Sequence, residues 1–62
     1  SKRFPQLPPN DPRHAEMGKI RREYTKLKDS LRKAKTQEKR ASLQALVDEA
    51  FGEAIALLGR TQ

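Results

Sequence analysis

The stretch ASLQALVDEAFGEAIALLG, residues 41–59, constrains this chain most, because it gathers most of the large apolar side chains of an otherwise very polar sequence. Its apolar positions recur at i, i+3, i+4 and i+7, the period of a helix. On a helical projection Leu43, Leu46, Val47, Ala50, Phe51, Ala54, Ile55, Leu57 and Leu58 spread over about half the circumference. A row of small residues, Ala41, Ala45, Gly52 and Ala56, runs along the opposite side. Polar groups keep only the narrow margins at Ser42, Gln44, Asp48, Glu49 and Glu53. A single partner helix covers less than this, so the segment demands neighbours on more than one side.

The chain itself supplies the first neighbour. Asp11 before Pro12 reads as a helix start, with Asp as the N-cap and Pro at the first helical position, where no hydrogen bond is lost. From there Met17, Ile20, Tyr24, Leu27, Leu31 and Ala34 alternate at spacings of three and four, a coiled-coil-like heptad seam on a helix expected over about 12–35. Carried past Ala34, the seam would meet Glu38, Ala41, Ala45, Asp48 and Gly52, which is no apolar seam. A break is therefore expected at about 36–40, with Thr36 as a cap for a second helix over about 41–59. No Gly or Pro enforces that break, so one continuous helix is the structural alternative.

Folding back at the break brings the two stripes into register. Leu31 falls opposite Leu43 and Leu27 opposite Val47, followed by Tyr24 with Phe51, Ile20 with Ile55 and Met17 with Leu58. The same pairing carries Lys26 and Lys28 toward Asp48 and Glu49, and Arg21 and Arg22 toward Glu53. Gly59 suits a left-handed cap on the second helix, with Arg60 close to its negative end. Residues 1–10, SKRFPQLPPN, carry three prolines and only Phe4 and Leu7 as large apolar groups. They read as an extended arm resting loosely on the domain, or as a short docking motif.

The expected fold class is all-α: an antiparallel two-helix hairpin over 11–62 behind an extended Pro-rich N-terminal arm over 1–10. A hairpin of this size buries a small share of its surface, and with no cysteine it has no disulfide to support it. Completion as a helical bundle, by self-association as a homodimer or by a partner's helix, is the expected remedy. The chain starts at Ser1, not Met, and so reads as a segment excised from a larger protein. It has no signal-like apolar stretch and no run approaching the ~20 apolar residues a membrane span needs. With no cysteine either, this suggests an intracellular protein, cytoplasmic or nuclear, without membrane insertion.

Catalysis finds little footing. His14 is the only histidine and stands in the first turn of a helix, where an exposed capping role is the plainer reading. There is no second His or Cys for a metal site, no Gly-rich phosphate loop and no nucleophile with a base. Asp48 and Glu49 are adjacent, so they diverge by about 100° on a helix and do not converge as a catalytic carboxylate pair must. No cofactor, metal or small molecule is expected.

The functional expectation is a non-enzymatic protein–protein interaction or assembly module. It docks or oligomerises through Leu46, Ala50, Phe51, Ala54, Leu57 and Leu58, with Tyr24 and Leu27 beneath them. The alternative follows from the charge distribution. Residues 1–40 hold thirteen of the fourteen Lys and Arg and five of the eight acids, a balance of +8, while residues 41–62 stand at −2. Arg32, Lys33, Lys35, Lys39 and Arg40 give the turn region +4 against Glu38. With the basic first helix, these five are the candidate contacts to a nucleic-acid backbone; such a tip could also meet an acidic protein surface or anionic lipid, a solvated turn being the plain reading. Sequence readout of bases is not expected, because Glu16, Glu23 and Asp29 are interspersed among the bases of the first helix. About a dozen residues, from Asn10-Asp11-Pro12-Arg13 into the Lys-rich run, resemble part of the FF interaction domains. The helices that precede this segment in those domains have no counterpart in residues 1–10, so no fold or function is carried over.

Overall fold

The structure, a computed structural model, describes residues 3–59. Two helices dominate it, α1 (His14–Lys33) and α2 (Gln37–Leu58), and the described residues include no strand. The helices pack antiparallel, so the start of α1 meets the end of α2. Residues 34–36 connect them, and the continuous-helix alternative is ruled out there: Ala34 (φ −66°, ψ 136°) and Thr36 (φ −111°, ψ 151°) are both extended. Thr36 makes the restart possible without Gly or Pro. Its Oγ1 accepts the Lys39 N–H at 3.2 Å, satisfying one of the orphan donors of the new helix. That cap lets α2 begin at Gln37, about one turn before the expected position near residue 41. Lys39 and Arg40, expected in the turn, are therefore helical.

The buried residues of α2 are not simply its largest ones. Val47, Ala50, Ala54 and Leu57 are buried and Leu43 partly so, spaced four, three, four and three. This matches the spacing of Met17, Ile20, Tyr24, Leu27 and Leu31 on α1. One register, in which paired residue numbers share a single sum, then holds along the whole hairpin: Leu31 with Leu43, Leu27 with Val47, Tyr24 with Ala50, Ile20 with Ala54, and Met17 with Leu57. Burial confirms the far end of it, where Met17, Ala54 and Leu57 form the central cluster with Ile20 against it. Phe51 keeps its expected place beside Tyr24, half-buried on the flank of the seam, but the expected slip onto Ile55 and Leu58 does not occur. Ile55 and Leu58 are 47% and 42% exposed. A seam of period 3.5 stays on one face, whereas the slip would require α2 to rotate by about 100°, the turn of one residue.

The segment before α1 closes the open end of the hairpin. Asp11 accepts the Arg13 N–H through Oδ1 at 2.8 Å, and its carbonyl accepts the His14 N–H at 3.0 Å, so residues 11–13 form a tight turn ahead of the helix. Pro12 thus belongs to this turn and not to α1. The Asp11 carboxylate also grips the Arg13 guanidinium, Nε at 3.0 Å and Nη2 at 2.9 Å, in a two-point pair. So held, Arg13 Nη1 donates to the carbonyls of Leu57 (3.3 Å) and Leu58 (3.0 Å), the unsatisfied end of α2. Arg13 does here what was expected of Arg60, which lies outside the described residues. Gly59 stays right-handed (φ −82°, ψ −7°), its N–H continuing the helical pattern to the Ile55 carbonyl at 3.1 Å.

The arm adds a partial third layer. The Phe4 ring lies 4.8 Å from that of Tyr24 and 6.2 Å from that of Phe51, the latter edge-on, and Tyr24 and Phe51 are 6.1 Å apart. Leu7 packs on the Met17–Ala54–Leu57 cluster, and its carbonyl lies 3.0 Å from His14 Nδ1. This layer covers one side only. The Cα radius of gyration is 13.0 Å, against about 10.6 Å for a compact domain of this length, as befits an elongated hairpin.

Two predictions follow from this packing and the end clamp. Ala54 is fully buried against α1, so Ala54→Leu should overpack the seam and destabilise by about 1–3 kcal/mol, whereas Gly52→Ala, with open space around the new Cβ, should stabilise by up to about 1 kcal/mol. Thermal unfolding followed by circular dichroism distinguishes the two. The hydrogen bonds from Arg13 hold the Asp11 carboxyl down at about 2, from an ordinary 3.8. The stability this carboxylate contributes is therefore fully present above pH ~4 and lost as pH falls toward 2. Over that range Asp11→Asn should lose less stability than the unsubstituted protein; equal acid sensitivity would remove the clamp from the account.

Candidate docking surface

With the arm on one side of the hairpin, the opposite interhelical groove stays open. Ile20, Leu27, Leu46 and Ala50 line its floor, and Lys19, Glu23, Glu49 and Glu53 its rim. Leu46 is 47% exposed there, and Leu27 lies beneath it, half-buried. The three rim glutamates make no ion pair among the described residues. The groove is thus an apolar trough with a net acidic edge in a chain of net charge +6.

A second apolar patch lies elsewhere on α2. Ile55 follows Leu46 by nine residues, which at about 100° per residue places it on the opposite flank of the helix. Ile55 and Leu58 stand there beside the outward row of Gly52 and Ala56, with Ala45 and Ala41 further along, all exposed. A Cβ added at Gly52 would meet nothing within 4 Å. The row of small residues therefore faces outward and takes no part in the hairpin's own packing.

The six residues expected to form the interface are divided by the fold. Leu46 and Leu58 are on the surface but on different flanks. Ala50, Ala54 and Leu57 are buried in the seam, Ala50 also forming part of the groove floor. Phe51 is half-buried under Phe4, as is Tyr24. A charge introduced at Leu57, as in Leu57→Asp, would therefore report on folding, not on docking. Ile55 was assigned to the core and is in fact exposed; counting alanines as seam positions would have found it, because the four-three spacing passes through Ala50 and Ala54.

The basic residues are divided too. Arg32 and Lys33 both bind the Asp29 carboxylate, Lys33 at 3.1 Å, and together they hold the Asp29 carboxyl below its usual range, Lys33 contributing most. Lys35 is exposed in the connection, and Lys39 and Arg40 are exposed on the first turns of α2. Arg40 shares a surface depression with Lys28, Arg32 and Asp29. The ion pairs expected between the helices do not form. Lys28 shares a groove with Asp48 but sits 5.9 Å over the Tyr24 ring, while Asp48 accepts from Gln44 Nε2 at 3.0 Å. Lys26 borders the outer face of α1 with Lys19 and Arg22, and Lys19, not Arg21 or Arg22, stands across from Glu53. The one-residue change of register moves these margins past each other.

Among the described residues no group of His, Cys, Asp or Glu is placed to hold a metal ion, and no helix is long and apolar enough to cross a membrane. In comparisons with known proteins, no family model, no curated protein and no solved structure matches this chain.

Proposed function

We propose that the chain is a non-enzymatic protein–protein interaction module that receives a helix in the open groove between α1 and α2, completing a three- or four-helix bundle. The observation that carries this reading is Leu46, half exposed over an apolar floor of Ile20, Leu27 and Ala50 that the molecule's own arm leaves uncovered. An amphipathic helix laid there would bury its apolar stripe as helix-in-groove complexes do. Glu23, Glu49 and Glu53 at the rim favour an incoming helix whose stripe is flanked by Lys or Arg. Two copies meeting groove to groove would set these carboxylates against each other, so the rim favours a partner over self-association at this site. The patch of Ile55, Leu58 and the small residues is the surface a homodimer would use instead.

Sedimentation equilibrium over a concentration series, together with calorimetric titration by two synthetic amphipathic helices of equal apolar stripe, one Lys-flanked and one Glu-flanked, tests the reading. The Lys-flanked helix should bind, and Leu46→Glu should weaken it at least tenfold, about 1.4 kcal/mol, while Leu58→Glu leaves it unchanged. Equal binding of the two helices, or a complex indifferent to Leu46→Glu, would refute it. A dimer abolished by Leu58→Glu and kept by Leu46→Glu would move the assembly surface to the other flank.

A further inference from the structure

On α1, Lys19, Arg22 and Lys26 are all exposed and border one shallow depression together with Glu23, Lys19 lying nearest α2, on the rim of the docking groove. Their spacing of three and four residues stacks them in one row on the helix, about 10.5 Å from first to last. None of the three makes an ion pair among the described residues. This separates them from Arg32 and Lys33, which share Asp29, and from Arg13, which is committed to Asp11 and the end of α2. The exposed large apolar groups, Leu46, Ile55 and Leu58, all belong to α2, and Leu46 lines the docking groove with Lys19, while Arg22 and Lys26 border a depression lined by charged residues alone.

We infer that this row is a binding ridge for the phosphodiester backbone of a nucleic acid, placed on α1 and not at the turn. Duplex DNA presents one phosphate per about 3.4 Å of axis on each strand, so a 10.5 Å row of three cations spans about three phosphates of one strand. Three cations against the single carboxylate of Glu23, none of them held in an ion pair, keep a net positive charge and its counterions until such a polyanion displaces them, the condition under which binding is driven by counterion release. An anionic membrane is a poorer fit, because interfacial helices set a large apolar face beside their bases and the depression that holds this row is lined by charged residues alone. Base readout is not implied; the contacts are to the backbone and independent of sequence. Lys19 borders both the ridge and the docking groove, and Leu46→Glu, which leaves the three bases in place, tests the two apart.

The experiment is fluorescence anisotropy of the whole chain with a labelled 20-base-pair duplex of arbitrary sequence between 50 and 200 mM salt. With three phosphates contacted, affinity should fall about 40-fold over that range. Lys19→Gln/Arg22→Gln/Lys26→Gln should abolish most of this salt dependence, while Lys35→Gln/Lys39→Gln should leave it intact. Helicity by circular dichroism should be unchanged in both variants, since all five side chains are exposed. Leu46→Glu should bind DNA as the unsubstituted chain does, so failure of the groove would not imitate failure of the ridge. The inference is overturned if the duplex does not bind at 50 mM salt or if the triple variant binds as well as the unsubstituted chain. It is also overturned if polyglutamate or vesicles containing phosphatidylserine compete as strongly as DNA, which would assign the row to acidic protein or to membrane.

Discussion

The buried seam of α2 runs through Ala50 and Ala54, and the positions of the other side chains follow from it. Side chains of one carbon allow helix axes to approach near the lower end of the usual 8–10 Å range, so the larger Met17, Ile20 and Tyr24 of α1 can fill the space facing them. Placing the alanines on the seam commits Val47 and Leu57 to it as well, through the four-three spacing. Phe51, Ile55, Leu58 and Leu46 are then displaced to the flanks. The exposed apolar surface of this protein is therefore a consequence of how its core is made, and no rearrangement is needed to present it.

The two sides of the hairpin are treated differently. On one, Phe4 lies on Tyr24 and Phe51, and Leu7 reaches the central cluster, so the arm does part of what a third helix would do. On the other, Leu46 and Leu27 are left to the groove. The turn at Asp11–Arg13 joins these features to the end of α2: the same short segment aims the arm back along α1, starts that helix and ties off the carbonyls of Leu57 and Leu58. An aromatic cluster and a guanidinium clamp thereby hold a chain that has little core of its own.

Charge follows a similar division. Asp29 and Asp11 take bases from their own neighbourhood, whereas Glu23, Glu49 and Glu53 along the groove and Lys19, Arg22 and Lys26 beside it form no ion pair among the described residues, with Lys19 and Glu23 bordering both surfaces. Opposite charges that form no ion pair in a folded chain are available to outside partners, and exposed pairs would in any case contribute only about 0–1 kcal/mol each to stability. An acidic trough and a basic ridge on the same small molecule suit two different kinds of partner.

The sequence by itself determined the two helical stripes, Thr36 as a candidate cap and the near half of the register, because these follow from local periodicity and capping within a few residues. It left one continuous helix open, which the extended Ala34 and Thr36 exclude. It also placed Tyr24 beside Phe51 and set Leu46 on a surface above Leu27. It did not decide the far half of the register. Nine apolar residues spread over half of α2 are compatible with two seams one residue apart, and reading the larger side chains as core selects Ile55 and Leu58, where packing selects Ala54 and Leu57. Only the tertiary structure chose between these, because the choice depends on groups remote in sequence: Met17 and Ile20 across the seam, Phe4 over Phe51, and Arg13 reaching 44 and 45 residues along the chain to the carbonyls of Leu57 and Leu58. Periodicity specifies which faces are apolar; only close packing specifies which part of an apolar face is buried.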